Sequence, residues 1–133
     1  MIVVDSSVLI SFLRGVPTPG ADRLRELELL GEPFALPVAC CQEVLQGARD
    51  EREWRLLDTY LSSQWLLAPE DPWLTHREAA RIYFDCRRRG VTVRSTVDCL
   101  IAQLVIDHAA ILLHEDADFE RIRAVRPLRT LRE

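Results

Sequence analysis

Five acids from four separate stretches of the chain, Asp5, Glu43, Asp98, Asp116 and Asp118, stand where short apolar runs end or where helices begin. Asp5 closes the run Met1-Ile2-Val3-Val4 and is followed by two hydroxyls, Ser6 and Ser7. Asp116 follows the run Ile111-Leu112-Leu113 after His114 and Glu115. Each acid alone has an ordinary explanation: a strand-end Asp forms turns, Asp98 stands three residues after Ser95 at capping-box spacing, and Asp118 is placed to cap a helix beginning at Phe119. Together they imply chemistry, provided the fold gathers them. Two carboxylates about 5 Å apart repel by roughly 3 kcal/mol at an effective dielectric near 20, so several in one pocket demand protons or cations. Oxygen ligands without a Cys or His pattern select a hard ion, magnesium or manganese, rather than zinc. Such an ion can orient a phosphate and acidify water.

The elements that must position these acids read as alternating strands and helices. Strands are expected at 2–4, 34–38, 65–68, 111–114 and 127–131, with helices at 8–14, 21–30, 39–49, from 50 through 61, 72–89, 95–105 and 119–124. Asp50 with Glu53, and Asp71 with Pro72, are helix-start signals, while Gly15, Gly31 and Gly90 are stops. Trp54, Leu57 and Leu61 are expected on the buried face of the fourth helix. This alternation predicts an α/β domain spanning 1–133, with a mostly parallel sheet covered on both sides. Right-handed connections build the first three strands outward in one direction and return the fourth beside the first. Asp5 and Asp116 then flank the crevice at the carboxyl ends of the strands, where open α/β sheets bind ligands. Asp98 joins from the first turn of the helix before the fourth strand, and Glu43 from the helix after the second.

Bulk properties narrow the classes. The 133 residues carry a net charge of −4, which excludes coating nucleic acid through the overall field, so any such contact must be local. All 17 basic residues are Arg and none is Lys. Arg suits bidentate phosphate contacts, although a GC-rich genome also favours Arg codons. Arg87, Arg88, Arg89 and Arg94 are the best-placed candidates for RNA, against the plainer reading that three arginines in a last helical turn complement the helix dipole. Cys40, Cys41, Cys86 and Cys99 lack metal or redox spacing and read as buried small hydrophobes. No run is long enough to span a membrane and no leader segment is visible, so the cytoplasm is the expected location.

The ordered segments Ile-Val-Val-Asp5-Ser-Ser-Val-Leu, Cys-Gln-Glu43-Val-Leu-Gln-Gly-Ala, Ser-Thr-Val-Asp98-Cys-Leu-Ile-Ala and Leu-Leu-His-Glu-Asp116-Ala-Asp118-Phe resemble the PIN-domain family, and within it the VapC-type toxin ribonucleases of toxin–antitoxin pairs. The resemblance implies a three-layer α/β/α fold with about five strands in the order 3-2-1-4-5. It implies Asp5, Glu43, Asp98 and Asp116 as catalytic, metal-binding acids, with Asp118 as an auxiliary metal-site acid. Ser7 is implied as a contact to metal-held water or to phosphate. It further implies Mg²⁺ or Mn²⁺ as cofactor, RNA as substrate, homodimerisation and a small VapB-like antitoxin as partner. The position two before Asp116 is often a small hydroxyl residue in the family, and here it is His114. None of the three histidines, His76, His108 and His114, is assigned a catalytic role.

Three other readings compete. A haloacid-dehalogenase-type phosphoryl-transfer enzyme wants a second Asp two residues after the first, where this chain has Ser7. A receiver-like signalling domain wants a Lys near its acid pocket, and the chain has none. A catalytically silent PIN-like module that binds RNA or protein differs only in failing to cut.

Overall fold

Val3 and Val4 are neighbours in the chain and point into opposite layers of the protein, as alternation along a strand requires. The computed structural model describes residues 1–131. Its four short strands are β1 (Ile2–Val4), β2 (Phe34–Pro37), β3 (Leu66–Leu67) and β4 (Ile111–Leu113). All pair in parallel in the order β3-β2-β1-β4, with Ile2 beside Phe34 and Ile111, and Val4 beside Leu113. The helices are α1 (Ser6–Leu13), α2 (Pro19–Leu30), α3 (Val38–Gln46), α4 (Glu51–Ser62), α5 (Pro72–Arg88), α6 (Thr96–Asp107) and α7 (Ala117–Ile122).

One face of the sheet, carrying Val3, Ala35 and Leu112, packs on Ile82, Cys86, Ile101, Val105 and Phe119 from α5, α6 and α7. The other face, carrying Val4, Leu36 and Leu113, packs on Val8, Leu9, Leu24, Leu27 and Leu61 from α1, α2 and α4. This is the expected three-layer arrangement, and it leaves the carboxyl ends of β1 and β4 side by side. The amide of Asp5 donates to the carbonyl of Leu113 at 3.0 Å, closing that junction.

Local signals explain most boundaries. Asp50 and Asp71 cap α4 and α5 by accepting from the amides of Glu53 and Leu74. Gly31 ends α2 in the left-handed region at φ 66°. The expected fifth strand is reduced to a single bridge between Leu112 and Thr130 on the outer side of β4. Pro127 has no N–H to give, and the amide of Leu128 turns back to the carbonyl of Arg126 at 2.8 Å, so ladder pairing begins only at Arg129. The buried face of α4 is also narrower than its pattern: Leu61 is buried, but Trp54 is 44% exposed. No helix among the described residues is long and apolar enough to cross a membrane.

Candidate active site at the carboxyl ends of the strands

Asp5 itself caps α1. Its Oδ2 accepts the amide of Ser7 at 3.0 Å and the Ser7 hydroxyl at 2.7 Å. Its Oδ1 receives the Cys40 thiol at 3.6 Å. The carboxylate is 2% exposed, so β1 delivers a negative charge into a nearly dry position. The Ser7 oxygen also accepts the amide of Glu115 at 3.0 Å, and the Glu115 side chain accepts from Thr18 at 2.5 Å. The start of α2 thus lies against the loop after β4, so closely that a side chain at Gly20 would strike Glu115 and Val8.

Asp116 caps α7 through the amide of Asp118 at 2.9 Å, correcting the expectation that Asp118 would be the cap. The amide of Asp116 donates to Nδ1 of His114 at 3.1 Å, which leaves Nε2 to face Glu120 at 3.3 Å. His114 therefore shapes the turn that presents Asp116. His76 and His108 bond carbonyls of their own helices.

Asp98, Asp116 and Asp118 offer carboxylate oxygens that lie within 4.8 Å of one another. Asp98 is not a capping-box partner: Ser95 makes no side-chain cap, and Asp98 Oδ2 is buried without a hydrogen-bond partner among the described residues. Burial first, and then the charges of Asp116, Asp5 and Asp118, push the Asp98 carboxyl up to about 8. Glu43 sits at the exposed mouth on α3, accepting from the Ser6 hydroxyl at 3.3 Å. Its carboxyl is also raised, by burial, then by Asp5 and, more weakly, by Asp116, against the lowering effect of Ser6. Both Asp98 and Glu43 respond to the same two charges, Asp5 and Asp116, so the four acids share one electrostatic crevice.

Asp118 differs from Asp98 and Glu43. Burial alone would raise its carboxyl, but Asp98, the amides of Arg94 and Ser95, and Arg121 outweigh that and hold it below the usual range. The two amides donate to Oδ2 at 3.0 and 3.2 Å, and Arg121 contacts Oδ1 at 2.8 Å. Sequence reasoning missed Arg121, although its spacing of three from Asp118 on one helix was available as a signal. It also missed the thiol of Cys40, which nothing in the sequence marks. Because Ser95 contributes its amide and not its hydroxyl, Ser95→Ala should change unfolding free energy by less than about 0.5 kcal/mol, measured by denaturant melts.

Of the four arginines read as RNA contacts, only Arg94 reaches the acids, with Nε 4.0 Å from Asp118 and its side chain 74% exposed. Arg87 and Arg88 lie on α5 over aromatic rings. A groove of about 660 Å³ opens beside Glu43 between α1, α3 and α4, floored by Ile10, Leu13, Leu57 and Tyr60 and edged by Arg14.

The donor set fits a hard divalent cation. All candidate ligands are carboxylate oxygens, and an unpartnered buried oxygen beside two further acids is the arrangement a cation relieves.

Comparison with known proteins places these features in context. Residues 2–125 match the family model of the PIN domain. The chain is 37% identical over 131 residues to VapC ribonuclease Mb1587 of Mycobacterium bovis, and equally to ribonuclease VapC11 of Mycobacterium tuberculosis, covering 96% of each chain in both cases. Among solved structures, DNA-bound VapBC from Salmonella typhimurium superposes with a TM-score of 0.77 at 17% identity, covering 98% of this chain and 96% of that one.

Proposed function

Because the chain belongs to the PIN-domain family, we propose that it is a divalent-metal-dependent endoribonuclease, hydrolysing RNA phosphodiester bonds as the toxin of a toxin–antitoxin pair. The observation that carries the metal dependence is the buried, unpartnered Oδ2 of Asp98 among Asp116, Asp118 and Asp5. Bound there, Mg²⁺ or Mn²⁺ would supply the positive charge that polarises a phosphodiester and acidifies water.

The chain's own groups fill the remaining roles. Asp98 and Asp116, with Asp5 beside them, Glu43 at the mouth and Asp118 as the auxiliary acid, would hold the cation. Asp118, tied to two amides and Arg121, fixes the loop at 94–95 that starts α6, and so aims Asp98. Glu43 is the most accessible acid, and its raised carboxyl suits accepting the proton of a water whose oxygen attacks phosphorus while one P–O ester bond breaks. Ser7 has its proton on Asp5 and one lone pair on the Glu115 amide, which leaves a lone pair that can accept from water; donating to phosphate would require release of Asp5. Arg94 and Arg121, both in contact with Asp118, put cations at the rim of the crevice for the RNA backbone.

The names of the relatives and the VapBC neighbours support a small antitoxin as partner. The groove beside Glu43 offers such a protein an apolar floor and access to the acids. A homodimer acting in the cytoplasm completes the reading, and light scattering at micromolar concentration tests the dimer.

Cleavage of RNA by the purified protein should require Mg²⁺ or Mn²⁺, stop in EDTA, and fall at least about a hundredfold in Asp5→Asn. EDTA-resistant cleavage, or an Asp5→Asn protein as active as the parent, would overturn the metal mechanism. RNA binding without cleavage under any metal would leave the silent binding module. A second measurement does not depend on activity: metal at about 100 times its Kd should add about 2.7 kcal/mol to unfolding. That gain should be absent in Asp98→Asn.

A further inference from the structure

The end of α5 concentrates positive charge in a way the acid crevice does not use. Residues 81–89 hold four arginines and one acid, in a chain whose net charge is −4. The acid, Asp85, is already paired with Arg81 at 3.1 Å and Arg126 at 2.7 Å. Arg87 and Arg88 have no carboxylate within 4 Å among the described residues. Their guanidinium groups instead lie over rings: Arg88 is 5.6 Å from the centre of Phe84, and Arg87 is 5.9 Å from the centres of both Tyr83 and Phe84. A cation–π contact between neighbours three or four apart on the helix favours one position of the guanidinium while leaving its N–H edges free for an anion.

The surface connects to the crevice. Arg89 reaches the carbonyl of Ala124 just beyond α7, the helix whose Arg121 grips Asp118, and the connector after α5 leads to Arg94 beside the same acid. Under Arg87, a cleft of about 140 Å³ is bounded by Tyr83, Gly90 and residues 91–93. Completing the helix dipole accounts for cations at a helix end. It does not account for arginines laid on aromatic rings beside a cleft walled by an exposed tyrosine.

We infer that this end of α5 is a subsite for the RNA strand flanking the scissile phosphate, with Arg87 and Arg88 taking backbone phosphates and Tyr83 a base in the cleft. The inference rests on the nuclease reading for its substrate. A single strand is favoured over a duplex because the cleft admits a base only when it is unpaired.

The test compares the parent, Arg87→Gln/Arg88→Gln, and a control pair on the exposed face of α4, Arg52→Gln/Arg55→Gln, which removes the same charge elsewhere. Binding of single-stranded RNA of about 20 nucleotides is measured in EDTA by fluorescence anisotropy across a salt series. The α5 pair should weaken binding at least about tenfold and flatten the logarithmic salt slope by about 1.4, as loss of two phosphate contacts requires. The control pair should move affinity less than about twofold, as distant screened charges do. Tyr83→Leu should weaken binding while leaving the slope unchanged. Hydrolysis of a small activated phosphodiester with Mn²⁺, which needs only the crevice, should stay within about twofold of the parent in all variants. Equal losses from the α5 and α4 pairs would overturn the subsite. A parent that hydrolyses neither the small diester nor RNA would sink the nuclease reading instead, while the binding series in EDTA still decides the subsite.

Discussion

Replacing Asp98 by Asn should give a protein that is more stable than the parent without metal and that no longer cuts RNA. The parent buries this carboxyl against Asp116, Asp5 and Asp118, and its Oδ2 has no partner. The amide removes the charge and adds an N–H that can donate to Asp118, as the protonated acid does. The unfolded group titrates near 4 and the folded group at about 8. Between those values the folded chain keeps a proton that the unfolded chain releases, so parent stability declines as pH rises through this window. The variant has no such proton. Its advantage should be near zero below about pH 4 and grow through this window to several kcal/mol above pH 8, the remaining repulsion among Asp5, Asp116 and Glu43 being common to both proteins. In saturating Mg²⁺ the order should reverse, because the parent gains binding energy that the variant has lost. Paired denaturant melts in EDTA and RNA turnover measure both effects. An Asp98→Asn protein that is less stable at neutral pH and still cuts would make Asp98 a structural residue.

Asp118→Ala should have the opposite sign. Its carboxylate is 2% exposed and accepts the amides of Arg94 and Ser95 as well as Arg121. Truncation strands two backbone donors at the start of α6 and leaves a guanidinium unpaired, for a loss of about 3 kcal/mol in metal-free protein. Since the folded carboxyl is held below its usual range, the stability it contributes is present above about pH 4 and is lost as pH falls through the folded value. The deficit relative to the parent should therefore be largest at neutral pH and shrink only below about pH 4, opposite in sign to the Asp98 effect and confined to a more acid window. Asp118→Asn, which keeps one oxygen for the amides, should fall between. Unfolding midpoints at about pH 7 and at about pH 2, on either side of the window below pH 4, decide the matter. An Asp118→Ala protein as stable as its parent would show that the loop at 94–95 does not depend on the carboxylate.

These two acids also mark the boundary between what the chain states in sequence and what it states in space. Alternating apolar runs, the caps at Asp50 and Asp71, and the stop at Gly31 are local devices, so the order of elements and the parallel sheet are readable along the chain. The placement of Asp5, Glu43, Asp98 and Asp116 near one another follows from that order, because right-handed crossovers put β1 beside β4. The final strand fades to one bridge because Pro127 and a tight turn consume the donors that a ladder needs.

Roles within the site were a different matter. The spacing of Ser95 and Asp98 is equally good for a capping box and for an active-site acid, and only the folded packing leaves Oδ2 of Asp98 unpartnered while Ser95 gives its amide to Asp118. In the same way nothing in the sequence marks the thiol of Cys40 against Asp5, and although position 114 departs from the family pattern, only the fold shows its ring receiving the amide of Asp116. Helix caps and hydrophobic periods are fixed by neighbours within four residues. The pKa of a carboxyl, and the partner it finds, depend on charges and donors that only the tertiary structure brings within a few ångströms.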